Sequence, residues 1–151
     1  MMQRPRLPAI AVILSVSVAG GLFLGFSRRG ASPDAGELAK LQAAAAAPDA
    51  RPADWQHYAD KLRQLKQPAR AAVAYQRALE GDPYNRDARL ACATCLAQAG
   101  DADPFYAFMR STLLVDPKLT LSVLGRPEAA AYMTADRFQT LHRDAVAQSL
   151  D

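Results

Sequence analysis

The residues with the most chemistry in this chain of 151 are Cys92-Ala93-Thr94-Cys95, which hold its only two cysteines, and its two histidines, His57 and His142. A Cys-x-x-Cys spacing can bind zinc, carry haem or exchange disulfides, but each task needs more than the pair. Haem attachment requires His directly after the second cysteine, where this chain has Leu96, and tetrahedral zinc needs two further ligands that no second cysteine pair supplies. Disulfide exchange favours a pair at a helix N-terminus in a strand–helix–strand setting, whereas this one falls in the middle of a helical stretch, where an i,i+3 bridge would strain the backbone. The pair therefore reads as structural, with Cys92 a small core residue facing the next helix and Cys95 nearer the periphery. His57 has Asp54 and Asp60 three positions away on either side. That spacing could orient a general base, yet on a helix surface it makes ordinary solvated pairs. Ser111 and Thr112 have no nearby histidine and no nucleophile elbow, and Gly20-Gly21 lies in an apolar run rather than a phosphate loop. The expectation is a protein with no catalytic residue, no cofactor and no metal.

The elements that position these residues are helical. Ala accounts for 32 of the 151 residues, and no stretch sustains a period-two pattern, so the class is all-α. With 50% apolar and 22% charged residues the chain is too hydrophobic to be disordered, and two cysteines cannot staple a disulfide scaffold. The formal charge of +3 is unevenly spread. Residues 1–29 hold Arg4, Arg6, Arg28 and Arg29 and no acid, which leaves 14 Lys+Arg against all 15 Asp+Glu from residue 30 onward. The body therefore lacks the basic stripe that phosphate neutralisation demands, and nucleic acid is excluded as a partner.

Between the arginines, residues 7–26 carry no charge over twenty positions. At about 1.5 Å per residue a helix of that length crosses the roughly 30 Å hydrocarbon layer, which makes residues 1–29 an N-terminal single-pass membrane anchor. The alternative is a cleaved signal sequence, but the run exceeds a normal signal core and Gly25-Phe26-Ser27 is a poor cleavage site. Short charged tails before a single span usually stay in the cytoplasm, which puts the body outside it. Residues 27–36 combine Ser, Gly, Pro and charge and read as a solvated tether; residues 37–47 form a short helix ended by Pro48. Tether and helix together occupy 30–51.

Beyond them one spacing stands out. Leu79, Asp82 and Pro83 recur, at one constant interval of thirty-four positions, as Leu113, Asp116 and Pro117. A unit of that length suits two antiparallel helices and two turns. Pro68 marks the first mid-repeat turn and Gly100-Asp101 the second, with Asp103 expected as N-cap and Pro104 at the first helical position. The pattern resembles the tetratricopeptide repeat family. In a first repeat from Pro52, Trp55, Tyr58, Ala59 and Leu62 fall on the family's helix A places, Ala71, Tyr75 and Ala78 on its helix B places, and Pro83 closes the unit. Ala59 and Ala71 would let the helices approach while Trp55, Leu62 and Tyr75 fill the seam. In a second repeat, Arg89 stands at the Trp place, and Phe105 at the close-contact Ala place predicts a splayed or shortened helix B. Continuing the period puts Arg126-Pro127 inside a third helix A, so the repeats are expected to stop at two, over 52–119. Residues 120–151 then form C-terminal capping helices, with Phe138, Leu141, Ala145 and Val146 on one face, as in the tails of some membrane-anchored bacterial members of the family.

The resemblance implies an interaction module whose concave face is lined by outward positions of the A helices. Carried onto this chain these are Ala53, Gln56, Asp60, Arg63 and Gln64, then Asp87, Leu90, Thr94, Ala97 and Gln98. Gln56, Asp60 and Ala91 depart from the subgroup that clamps a partner's C-terminal carboxylate, and Asp60 would repel it. The expected function is a membrane-anchored adaptor that binds a protein or peptide through Gln56, Asp60, Arg63, Gln64, Asp87, Leu90, Thr94 and Gln98. The alternatives are an accessory subunit of envelope assembly, such as cytochrome c maturation, or a structural subunit of a larger membrane complex. A homodimer would add an interface to so short an array.

Overall fold

The computed structural model describes residues 33–150, and among these the chain is helical throughout its regular elements. The order is α1 (Pro33–Ala45), α2 (Pro52–Gln64), α3 (Pro68–Gly81), α4 (Arg86–Ala99), α5 (Ala102–Val115), α6 (Pro117–Leu124), a 3-10 helix (Pro127–Tyr132) and α7 (Asp136–Ser149). The apolar run of residues 7–26 lies outside the described residues, and no described helix is long and apolar enough to cross a membrane. Each α-helix packs mainly on its neighbours in sequence, as expected of stacked helical hairpins, while the 3-10 helix lies chiefly against α4.

Local chemistry sets the helix starts. Pro52, Pro68 and Pro117 occupy first-turn positions, where a missing N–H is no loss. Asp54 reaches back to accept from the Arg51 backbone N–H at 2.9 Å, and Asn85 caps α4 by accepting from the Ala88 N–H at 3.0 Å. At the other end of α4, Gly100 adopts the left-handed conformation (φ 80°) that closes a helix C-terminus at little cost for glycine. Two expectations are corrected here. Helix α1 begins at Pro33, so residues expected in the tether are helical; Lys61 on α2 pairs with Asp34 (2.8 Å) and Glu37 (2.5 Å) and anchors that first turn. Helix α5 begins at Ala102 after Asp101, so Pro104 sits inside the first turn and Asp103 is not the cap.

The first hairpin is tight. Ala59, Leu62, Ala71 and Tyr75 are fully buried at the crossing of α2 and α3. At its open end, where α2 begins and α3 finishes, a Cβ on Gly81 would lie 2.6 Å from the ring of Pro52. Gly81→Ala is therefore expected to destabilise by about 1–3 kcal/mol despite alanine's better helix propensity, because the rigid ring cannot step aside. A urea melt checks this; a stabilised variant would mean that α3 does not end against Pro52.

Trp55 does not fill the seam as its repeat place suggested. It is only partly buried and, with Tyr58, Ala69, Val73 and Ala74, lines an open apolar groove of about 380 Å³. The second hairpin shows why. Phe108 stands one repeat period after Ala74 and is buried, with the guanidinium of Arg89 5.8 Å from its ring centroid. The small Ala74 leaves that space empty in the first hairpin.

Helix α5 is splayed from α4 but not shortened: it has 14 residues, like α3, and approaches α4 over a much smaller stretch than α3 approaches α2. The buried ring of Phe105 holds the wedge open, and Tyr132 from the 3-10 helix fills it, stacked at 4.6 Å and 12°.

The hairpin pattern runs one step further than the sequence indicated. Helices α3, α5 and α7 begin one full repeat period apart, at Pro68, Ala102 and Asp136. The third helix A begins early. One period after the α4 cap Asn85 stands Leu119, which cannot cap, so Asp116 takes the role and accepts from the Leu119 N–H at 2.7 Å. The buried Leu119, Thr120, Val123 and Leu124 then repeat the buried Ala88, Arg89, Cys92 and Ala93 of α4, at a common offset three positions short of the period. Arg126, extended before Pro127, breaks this helix after eight residues, and it resumes as the 3-10 turn. Helix α7 buries Phe138, Leu141 and Ala145, whereas Val146 is 38% exposed and lies off the packed face. The segment expected as separate caps is thus a degenerate third hairpin, with α6 starting before residue 119.

Asp116 also accepts from Arg86 Nε at 3.0 Å. Burial alone would raise its carboxyl, but the Leu119 N–H and Arg86 outweigh that and hold it below the usual range. A depressed carboxylate contributes stability that is present above its unfolded pKa of about 4 and is lost as pH falls through its folded value. Asp116→Ala is expected to cost about 1–2 kcal/mol at pH 7, with the gap to the parent protein narrowing below about pH 4. A gap independent of pH in urea melts would contradict this.

Candidate functional site

Helices α2 and α4 lie side by side in the same direction. Asn85 Nδ2, at the start of α4, donates to Gln56 Oε1 on the first turns of α2 at 3.3 Å. Further along, Cys95 on α4 feels the charges of Arg63 and Asp60 on α2. On one face the two helices form a groove of about 710 Å³. Gln56, Asp60, Arg63 and Gln64 from α2 and Asp87, Leu90, Thr94 and Gln98 from α4 all line it. The sequence spacing brought these eight residues to one face because steps of three and four turn a helix by close to a full revolution. Ala53 and Ala97, also expected on that face, do not line the groove: Ala53 is exposed elsewhere, and Ala97 is buried, its carbonyl accepting from the Tyr132 hydroxyl at 3.4 Å.

Six further residues complete the walls, and the family's A-helix positions gave no sign of most of them. Tyr75 rises from α3, and its hydroxyl donates to Asp60 Oδ1 at 2.5 Å. Burial first, and then this carboxylate, push the phenol well above its ordinary range, so it stays a neutral donor. Lys66 and Pro68 come from the α2–α3 turn, where Lys66 takes a left-handed backbone (φ 57°). Ala91 lies on α4. Arg126 and Glu128 arrive from the break in the third hairpin, a contribution visible only once α6 and the 3-10 helix are placed.

The groove side chains are not equally available. Asp60 is held by Tyr75 and lies 3.4 Å from Arg63; the Thr94 hydroxyl donates to its own helix at Leu90 O, 2.9 Å; Gln56 is engaged by Asn85. The side chains of Gln64, Asp87 and Gln98 make no hydrogen bond or ion pair among the described residues, and Leu90 is part-exposed between them. The groove is polar with an aliphatic patch, suited to main-chain hydrogen bonding and a few side-chain contacts.

The other candidates form no site. Cys92 and Cys95 are both free and fully buried, which corrects the peripheral placement of Cys95. Cys92 Sγ donates to Ala72 O at 3.6 Å. Burial raises both thiols, the reverse of an activated cysteine. His57 is exposed beside an Asp54 already engaged by Arg51, and His142 stacks on Phe138. Among the described residues no group of three or more His, Cys, Asp and Glu could hold a metal ion.

In comparison with known proteins, residues 62–121, from the last turn of α2 into α6, match the family model described as tetratricopeptide repeat. Neither the comparison with curated proteins nor that with solved structures gives a match. The matched repeat supports a tetratricopeptide family and suggests a protein–protein interaction module, a kind that is typically non-catalytic.

Proposed function

We propose that the protein is a membrane-anchored adaptor that holds a partner protein or peptide in the groove between α2 and α4. The observation that carries this is the convergence of eight outward A-helix residues on one cavity of about 710 Å³. The anchor is read from the uncharged run of residues 7–26, with flanking arginines at 4, 6, 28 and 29. A tether of this kind raises the partner's effective concentration at the bilayer, so a small, mixed groove suffices. The body is placed outside the cytoplasm because a short charged tail before a single span stays behind.

Co-purification of partners with the full-length chain from its own host tests the binding role. Leu90→Arg is expected to reduce recovery of a groove partner at least tenfold by placing charge on the aliphatic patch, while Arg77→Glu on the exposed face of α3 leaves it unchanged. Equal recovery with both variants would contradict the groove. Reporter fusions behind Asp151, one active only after export and one only in the cytoplasm, decide the orientation.

A further inference from the structure

We infer that the groove takes an extended peptide segment bearing a basic and an acidic residue four to five positions apart, the base over Asp87 and the acid over Lys66 and Arg126. This rests on the groove's being the partner site and adds what the partner looks like. The lining elements share one direction: the Asn85–Gln56 contact and the Arg86–Asp116 pair (3.0 Å) bring the first turns of α2, α4 and α6 together at one end. The Tyr132–Ala97 hydrogen bond puts the end of the 3-10 helix beside the last turn of α4 at the other.

Charge is sorted along that axis. Asp87 lies in the first turn of α4, Lys66 follows the end of α2, and Arg126 immediately precedes the 3-10 helix. None of these three side chains has a hydrogen bond or ion pair among the described residues, so each keeps its charge for a partner. Asp60, in the middle, is already satisfied by Tyr75 and Arg63. Arg63 being taken by Asp60, Glu128 brings one negative charge to the end where Lys66 and Arg126 bring two positive ones. The span follows from helix rise. Gln56 to Gln64 and Asp87 to Gln98 cover about 12–16 Å at 1.5 Å per residue, which an extended chain at about 3.3 Å per residue crosses in four to five residues. Past Asp87, Leu90 offers apolar contact, and Gln64 and Gln98, in the last turns of α2 and α4, offer amides to the peptide main chain at the basic end.

The test uses the full-length chain and nine-residue peptides, acetylated and amidated, with Lys and Glu four or five positions apart in either order. Lys–Lys, Glu–Glu and Ser–Ser versions serve as controls. Binding is read by anisotropy and by the backbone amide shifts of groove residues. One order of the Lys–Glu peptide is expected to bind about tenfold more tightly than any like-charged control, to weaken with salt, and to lose that advantage in Lys66→Gln/Arg126→Gln, whose melting is unchanged. Peptides that shift the groove amides equally whatever their charge would overturn the inference and leave the groove as the partner site. No amide shifts, with a natural partner still sensitive to Leu90→Arg, would overturn it because the partner is not an extended segment. No response in either assay would overturn both readings.

Discussion

Phe105→Ala is expected to destabilise the protein by about 3–5 kcal/mol, as for other deletions of a fully buried phenyl ring. At a helix crossing where the tetratricopeptide pattern calls for alanine, that substitution would look like a repair. The packing argues the opposite. Phe105 is fully buried, stacks on Tyr132 at 4.6 Å and meets Tyr106 edge-on at 5.5 Å. The Tyr132 hydroxyl is fixed to Ala97 O, and the Tyr106 hydroxyl to Tyr132 O at 3.3 Å. Removing the ring leaves a cavity between elements tied on both sides, so little collapse can offset the loss. At about 4 °C per kcal/mol for a domain of this size, the melting temperature should fall by roughly 12–20 °C. Phe105→Leu should cost less than about half as much. A Phe105→Ala variant that melts with the parent protein would show that α4 and α5 can close to a tight crossing, and that Tyr132 does not fill a wedge.

The two thiols should be inaccessible in the folded protein. Cys92 and Cys95 have no exposed surface, and burial pushes both thiols up. Labelling by a thiol reagent at pH 8 is expected to run at least about 10³-fold more slowly than in the urea-unfolded chain, since it must await an opening that costs about 4 kcal/mol or more. The pH dependence has a definite sign. A group whose folded pKa is raised contributes stability that is present below its unfolded value, about 8.5 for a thiol, and is lost as pH rises through the folded value. Stability should therefore decline above about pH 8.5, and less so in a Cys92→Ala/Cys95→Ala variant. Fast labelling of one thiol in the native protein would restore Cys95 to the periphery and reopen its chemistry.

How far the sequence carried the fold is clearest at particular residues. The Asp-Pro signals, the buried Ala59 and Ala71 and the prolines at helix starts are local, and helices α2 to α5 follow from them to within a few residues. Gln56, Asp60, Gln64 and their counterparts on α4 reached one groove because a single helix face needs no knowledge of distant chain. What stayed hidden depends on contacts between distant segments. Asp116 became a cap because Leu119 could not, which moved α6 upstream and disguised the third hairpin. Trp55 remained only partly buried because the residue opposite it is Ala74 rather than a ring like Phe108. Arg126 and Glu128 entered the groove only through the break at Pro127. Pro33 opened α1 with help from Lys61, which belongs to the following helix.

The most direct test of the central claim, that this face of α2 and α4 holds a protein partner, is site-specific photocrosslinking in the host cell. A photoreactive residue placed at Thr94 or Gln98 in the full-length chain is compared with one at Val73 or Gln76, exposed on α3. A discrete adduct is expected from the groove positions, lost when Leu90→Arg is added, and none from α3. Adducts of the same size from α3, or groove adducts indifferent to Leu90→Arg, would contradict it.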